Sequence, residues 1–239
     1  MLDGVYSAAS GLDGYTKNQE IIASNIANVN TTGYKKSFID FKTVLENVNN
    51  GNADEKIESI QTEVGIDFTN GSLEHTGNSL DIAIIGEGFF TIETEDGQRY
   101  TRNGQFQISG NGEIVTQDGG RLLGAGGPVL LPHDVVDIKV DSAGTLKADD
   151  SVMDDLLITT FERMDLLVPT GNSLFAAPLE AGIEQDYGSR VRQGYLEKSN
   201  VDVVMEMVQM IHNMRSYEAG NRIIKVLGDT LEKLIRSQG

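Results

Sequence analysis

The two ends of this chain carry apolar residues at alternating four- and three-residue intervals, and neither end contains a proline. All four prolines, Pro128, Pro132, Pro169 and Pro178, lie in the middle. Proline removes a helical hydrogen bond and clashes with the preceding turn, so only the ends are free to form long helices. From the amino terminus the series reads Met1, Val5, Ala8, Leu12, Tyr15, Gln19, Ile22, Ile26, Val29. Only Gln19 is polar, and a 3.5-residue period marks the seam of a coiled coil. The spacing predicts a helix over residues 1–30. Gly4, Gly11 and Gly14 each weaken it by about 1 kcal/mol relative to alanine, so it is not expected to stand alone.

The carboxyl end gives the stronger signal. Val203, Met207, Met210, Met214, Tyr217, Asn221, Ile224, Gly228, Leu231 and Ile235 keep the same four-three spacing. Val204, Val208, Ile211, Leu227 and Leu234 form a second row beside it. That stripe is wider than a two-stranded seam and calls for more than one neighbour. Ser199-Asn200-Val201-Asp202 reads as the capping box of a helix near 199–236, with Ser199 as the cap.

Charge divides the chain the same way. Residues 1–36 hold three acids and three bases, and residues 196–239 hold six of each. The 27 acids and ten bases between them account for the whole net charge of −17. Neutral ends that pack together, with an acidic middle turned to solvent, would produce this distribution. Nucleic acid is an unsuitable partner, because phosphate binding needs clustered Lys and Arg. Cysteine is absent, which excludes disulfides and thiolate chemistry.

The middle reads as β-structure. Leu80–Ile85 alternates, Gly86-Glu87-Gly88 interrupts, and Phe89–Glu93 resumes. Turn-forming groups such as Glu95-Asp96-Gly97, Asn103-Gly104 and Gly110-Asn111-Gly112 recur at short intervals, as in antiparallel hairpins. Further strands are expected at 138–140 and 156–161. Residues 42–79 are polar and unassigned, with a loop expected at 47–52. The expected division is a helix and turn over 1–36, an irregular or extended connector over 37–79, a β domain over 80–195 and a helix over 196–239.

Few residues invite chemistry. His75, His133 and His212 stand too far apart to suggest a metal site. Asp134, Asp137 and Asp141, or Asp149 with Asp150, lack the glycine and distal glutamate of a calcium loop. Gly86-Glu87-Gly88 lacks the remaining features of a nucleotide loop. No catalytic residue, metal or cofactor is expected. The amino terminus lacks the basic and apolar regions of a cleaved secretion signal.

Four segments in order resemble one family. Asn25-Ile26-Ala27-Asn28-Val29-Asn30-Thr31-Thr32-Gly33-Tyr34-Lys35 is similar to the amino-terminal signature of bacterial flagellar rod and hook proteins. Leu80 to Phe90, with Gly86, Gly88 and Phe89, resembles their shared central segment. Tyr100-Thr101-Arg102-Asn103-Gly104-Gln105-Phe106 extends it. Gln193-Gly194-Tyr195-Leu196-Glu197-Lys198-Ser199-Asn200-Val201, continued by Glu206–Ile211, resembles the carboxyl-terminal signature.

The resemblance implies an α+β fold. Long amino- and carboxyl-terminal helices would pair as a coiled coil, with a mainly antiparallel β domain between them. It implies a structural subunit of the basal-body rod that assembles helically and transmits torque. Its partners would be copies of itself, other rod or hook subunits, the flagellar export apparatus and rings around the rod. Delivery would be by type III export without cleavage. Chain length points to the rod instead of the hook. Met214-Arg215-Ser216-Tyr217 and the short 42–79 stretch favour the proximal type over the distal type. The expected assembly residues are Val5, Leu12, Ile22, Ile26 and Val29 with Val203, Met207, Met210, Met214, Tyr217, Ile224, Leu231 and Ile235. A coiled-coil surface or adhesin-like protein, or an acidic β-domain hydrolase, would explain parts of the pattern but not the four motifs together.

Overall fold

A computed structural model describes residues 2–49, 54–132, 135, 137–149, 151–185 and 188–237. For 2–9, 41–49, 54–61, 185, 227, 231–235 and 237 it describes the backbone alone. The chain divides into two units. The first comprises Met1–Ala27, Lys36–Asp67 and Val201–Gly239, and the second comprises Asn28–Lys35 and Phe68–Asn200.

In the first unit, helix α1 runs Leu2–Ala27 and helix α2 runs Val203–Ser237. At 1.5 Å per residue, α2 is about 52 Å long. The helices are antiparallel neighbours: Asn25 meets Glu206, Asn18 meets Asn213, and Leu12 lies beside Gly220. Between them in sequence is a hairpin of two 13-residue strands, β1 at Ser37–Asn49 and β2 at Asp54–Ile66. Its register holds from Ser37↔Ile66 to Asn49↔Asp54 without a slip. Both strands lie against α1. Of the loop expected at 47–52, residues 47–49 belong to β1, and 50–52 lie outside the described residues.

The expected coiled-coil pairing of the terminal helices is overturned. The face that α2 turns toward α1 carries Glu206 and Asn213, both buried. Hydrogen bonds cross this contact. Asn213 Nδ2 donates to the Tyr15 carbonyl at 2.8 Å and to Gln19 Oε1 at 2.9 Å, and Asn18 Nδ2 donates to Asn213 Oδ1 at 3.0 Å. Meanwhile Met207, Met214 and Tyr217 of the expected seam are 51%, 52% and 40% exposed. Knobs-into-holes packing requires those side chains in the interface. Part of the expected seam therefore points away from the other helix, while Val203, Met210 and Ile224 are half-buried.

The second unit is built of antiparallel pairs. Among the described residues, a ten-stranded sheet has Phe89–Thr94 near its centre, flanked by Gly97–Thr101, Arg121–Gly124 and Ile158–Phe161. Phe89, Phe90, Thr91 and Ile92 are all buried. Successive side chains on a strand point to opposite faces, so both faces are covered there. Phe90, Ile92, Phe106, Ile114, Leu122 and Ile158 belong to the main core. On the other face Phe89 stacks edge-on with Phe68, Phe161 and Phe175 at 5.7–5.9 Å. The expected strands near 138–140 and 156–161 occur as Ile138–Val140 and Ile158–Phe161.

The last strands of this unit join its first. Arg190–Gln193 pairs with Ile82–Ile85, and Tyr195–Glu197 pairs with Leu73–His75. Gly86 and Gly88 sit between strands with φ of 107° and 116°, a region that glycine enters without steric cost.

Candidate functional site

The candidate site of the first unit is an exposed apolar face of α2. Val204, Met207, Val208, Ile211 and Met214 follow one another at intervals of three, one, three and three on α2, and are 44–70% exposed. Together they span about 15 Å of helix axis. Contiguous exposed apolar surface of this kind marks an interaction site on a soluble protein. Beside it, Tyr15, Thr16 and Gln19 of α1 with Asn213, Met214, Tyr217 and Glu218 of α2 line a groove of about 450 Å³.

The helix that presents this face is fixed at its start. Asp202 Oδ1 accepts from the backbone N–H of Val204 at 2.9 Å and of Met205 at 3.1 Å, so Asp202 is the N-cap where the sequence pointed to Ser199. One turn on, Glu206 is fully buried. Its Oε1 lies 2.6 Å from Lys36 Nζ, and its Oε2 accepts from Asn25 Nδ2 at 3.1 Å. Asn25 also clamps Ser37, accepting from its N–H at 3.0 Å and donating to its carbonyl at 2.8 Å. Burying a carboxylate without such partners carries a large desolvation cost.

The other expected assembly residues are spread over different environments. Ile22 is buried, while Leu12, Ile26, Val29, Val203, Met210 and Ile224 are half-buried. The side chains of Val5, Leu231 and Ile235 lie outside the described residues.

The remaining motif residues converge in the second unit on a buried ion cluster. Glu197 Oε1 lies 2.7 Å from Lys35 Nζ, and its Oε2 accepts from Arg102 Nη1 at 3.3 Å. All three residues are at most 3% exposed. Gly71 N–H donates to Glu197 Oε1 at 2.9 Å. Lys35 donates to the Thr69 carbonyl at 2.8 Å, and Arg102 Nη2 donates to the Gly86 carbonyl at 2.7 Å. The Arg102 guanidinium also lies 5.2 Å from the centre of the Phe89 ring.

Two motif glycines near this cluster take positive φ. Gly33 has φ 67° and donates its N–H to the Glu197 carbonyl at 2.8 Å. Gly194 has φ 76° and donates to the Asp81 carbonyl at 2.7 Å. Asn200 Nδ2 donates to the Thr69 carbonyl and hydroxyl, each at 3.2 Å. Asn28 Oδ1 accepts from the Thr31 hydroxyl at 3.1 Å, within the turn after α1. Tyr34 and Ser199 flank the two sides and are half-buried.

Sequence reading missed Lys35, Lys36, Arg102, Glu197 and Glu206. The available signal was only their position inside or beside the four motifs.

The acidic surface of the second unit shows no comparable convergence among the described residues. Glu93, Glu95, Asp96, Glu113 and Asp118 line a shallow basin of about 800 Å³, where Arg121 pairs with Glu93 at 2.8 Å and Glu113 at 3.6 Å. Asp141 Oδ1 accepts from Ala143 and Thr145 N–H and closes a turn, while Asp149 Oδ1 accepts from Asp137 N–H across a strand pair. Asp134 and Asp150 lie outside the described residues.

Comparison with known proteins addresses the whole chain. Residues 5–35 match the family model described as flagella basal body rod protein. Residues 83–148 match the flagellar hook protein FlgE/F/G D1 domain, and 192–237 match the flagellar basal body rod FlgEFG protein C-terminal model. The chain is 32% identical to flagellar basal-body rod protein FlgG of Bacillus subtilis over 98% of both chains. It is 35% identical to the FlgG of Agrobacterium fabrum, over 91% of this chain and 92% of the relative. It is 29% identical to flagellar basal-body rod protein FlgF of Mesorhizobium japonicum, over 100% and 99% respectively.

Proposed function

The chain belongs to the flagellar basal-body rod protein family, and from that premise we propose that it is a subunit that assembles helically with its own copies and with other rod and hook subunits to carry motor torque outward. The match along nearly the whole of both chains carries this reading. The protein is structural, not enzymatic, and its place is the flagellar basal body.

Of the expected assembly residues, Met207 and Met214 lie on the exposed face of α2 that this role uses. Exposed methionine, valine and isoleucine side chains gain only when another subunit covers them. Because the chain's net charge resides between residues 37 and 195, the neutral ends are where copies approach with least repulsion. Contact from one subunit's face to a different face of the next produces an open helical array instead of a closed ring. Export through the flagellar channel without cleavage, and contact with rings around the rod, belong to the same proposal. The proximal-rod type is favoured by Met214-Arg215-Ser216-Tyr217 and the short 42–79 stretch, while relatives named FlgG and FlgF both match.

Deletion of the gene in its host, followed by electron microscopy of purified basal bodies, tests the proposal. It predicts basal bodies arrested at an incomplete rod and restored by the intact gene. Complete rods bearing hooks in the deletion strain would refute it.

A further inference from the structure

One short carboxyl-terminal stretch of the second unit makes several of its longest-range contacts. Arg190–Gln193 and Tyr195–Glu197 pair with strands more than 100 residues earlier. Gln193 Nε2 donates to the Ser79 and Ile138 carbonyls, each at 2.7 Å, while its Oε1 accepts from Val140 N–H at 3.2 Å. Lys198 N–H donates to the Ser72 carbonyl at 2.9 Å. Glu197 brings its carboxylate between Lys35 and Arg102, cations that come from segments 162 and 95 residues upstream.

We propose that Glu197 is a latch: the β unit closes only when residues 190–198 bring this carboxylate to the buried Lys35 and Arg102. Until then the site lacks the carboxylate that both cations meet in the closed unit, and removal of one partner from a buried ion group is strongly destabilising. The edge of Ile82–Ile85 also lacks its Arg190–Gln193 neighbour until that stretch arrives. A chain that emerges amino terminus first, from a ribosome or through an export pore, therefore keeps this unit open until residue 198 is released. The latch is a property of the fold and holds independently of the rod assignment.

The test is hydrogen exchange on the full-length protein, comparing the unaltered chain, Glu197→Gln, and Glu197→Gln combined with Lys35→Met. The single variant should lose protection about a hundredfold or more over 73–85 and 190–198. The double variant, with one cation removed, should regain at least about tenfold of that loss. If the single variant does not fold, recovery of folded protein in the double variant supports the latch, and continued failure overturns it. Unchanged protection in Glu197→Gln, or a double variant weaker than the single one, also overturns it. In pulse-labelled refolding of the unaltered chain, 73–85 should become protected together with 190–198. Earlier protection of 73–85 alone would contradict the closing order.

Discussion

Gly33 combines two constraints that alanine cannot meet, and their costs can be separated. Its φ is 67°, where a side chain costs about 1–2 kcal/mol. A Cβ there would lie 2.5 Å from the Arg102 carbonyl carbon and 2.7 Å from Asn103 Cα, and closer still to Asn103 N. These are backbone atoms, so relief requires a main-chain shift next to the Glu197 cluster. Overpacking of this kind costs about 1–3 kcal/mol, giving about 2–5 kcal/mol in total for Gly33→Ala. Two other glycines serve as references. Gly119 has φ 85°, but a methyl group there would meet nothing within 4 Å, so Gly119→Ala should cost about 1–2 kcal/mol. Gly110 has neither constraint, and Gly110→Ala should be neutral or stabilising by up to about 1 kcal/mol. Urea unfolding can be followed by near-ultraviolet circular dichroism of Tyr100, which is buried against Phe161. With a slope of about 2 kcal/mol per molar urea, Gly33→Ala should lower the midpoint by about 1–2.5 M. A midpoint for Gly33→Ala equal to that of Gly119→Ala would show that the close approach to Asn103 contributes nothing.

Asp202→Ala removes the N-cap of α2 and should cost about 1 kcal/mol, measured as a lower midpoint for loss of helix signal; Asp202→Asn should restore most of it. The Thr91 and Thr159 hydroxyls meet at 2.8 Å in a buried site. Either Thr→Val change alone should cost about 1–3 kcal/mol by orphaning its partner, and the double change should cost less than the sum, which a double-mutant cycle in urea measures.

How much of this was legible depended on the range of the signal. Apolar runs on either side of Gly86-Glu87-Gly88 located two strands, although burial on both faces there exceeds what alternation implies. Four-three spacing located helices at both ends. Its reading as a coiled-coil seam failed at Glu206 and Asn213, which take the inter-helix face through polar contacts while Met207 and Met214 face outward. The hairpin of β1 and β2 was legible only as an irregular or extended connector over 37–79. Phe38, Phe41, Leu45 and Val48, then Ile57, Ile60 and Val64, recur every three or four residues, a helical period on what folds as strands. Pairing with a partner strand in register overrode that period. The ion clusters were illegible for another reason: Lys35, Arg102 and Glu197 come together only through tertiary folding, and no spacing in sequence foretells it.

Rod assembly through the outer face of α2 requires that face to be an interface instead of ordinary exposed helix. The most direct measurement introduces Met207→Asp and Ile211→Asp separately and compares the isolated protein with assembled basal bodies. Both positions are about half exposed in the protomer, so its stability should shift by no more than about 0.5 kcal/mol. In a subunit contact the same carboxylate would be buried without a partner, at a cost of several kcal/mol repeated along the rod. Assembly through this face predicts stable, soluble protein in both variants, with no rods carrying it and no swimming on motility plates. Normal rods and normal swimming with aspartate at both positions would contradict it.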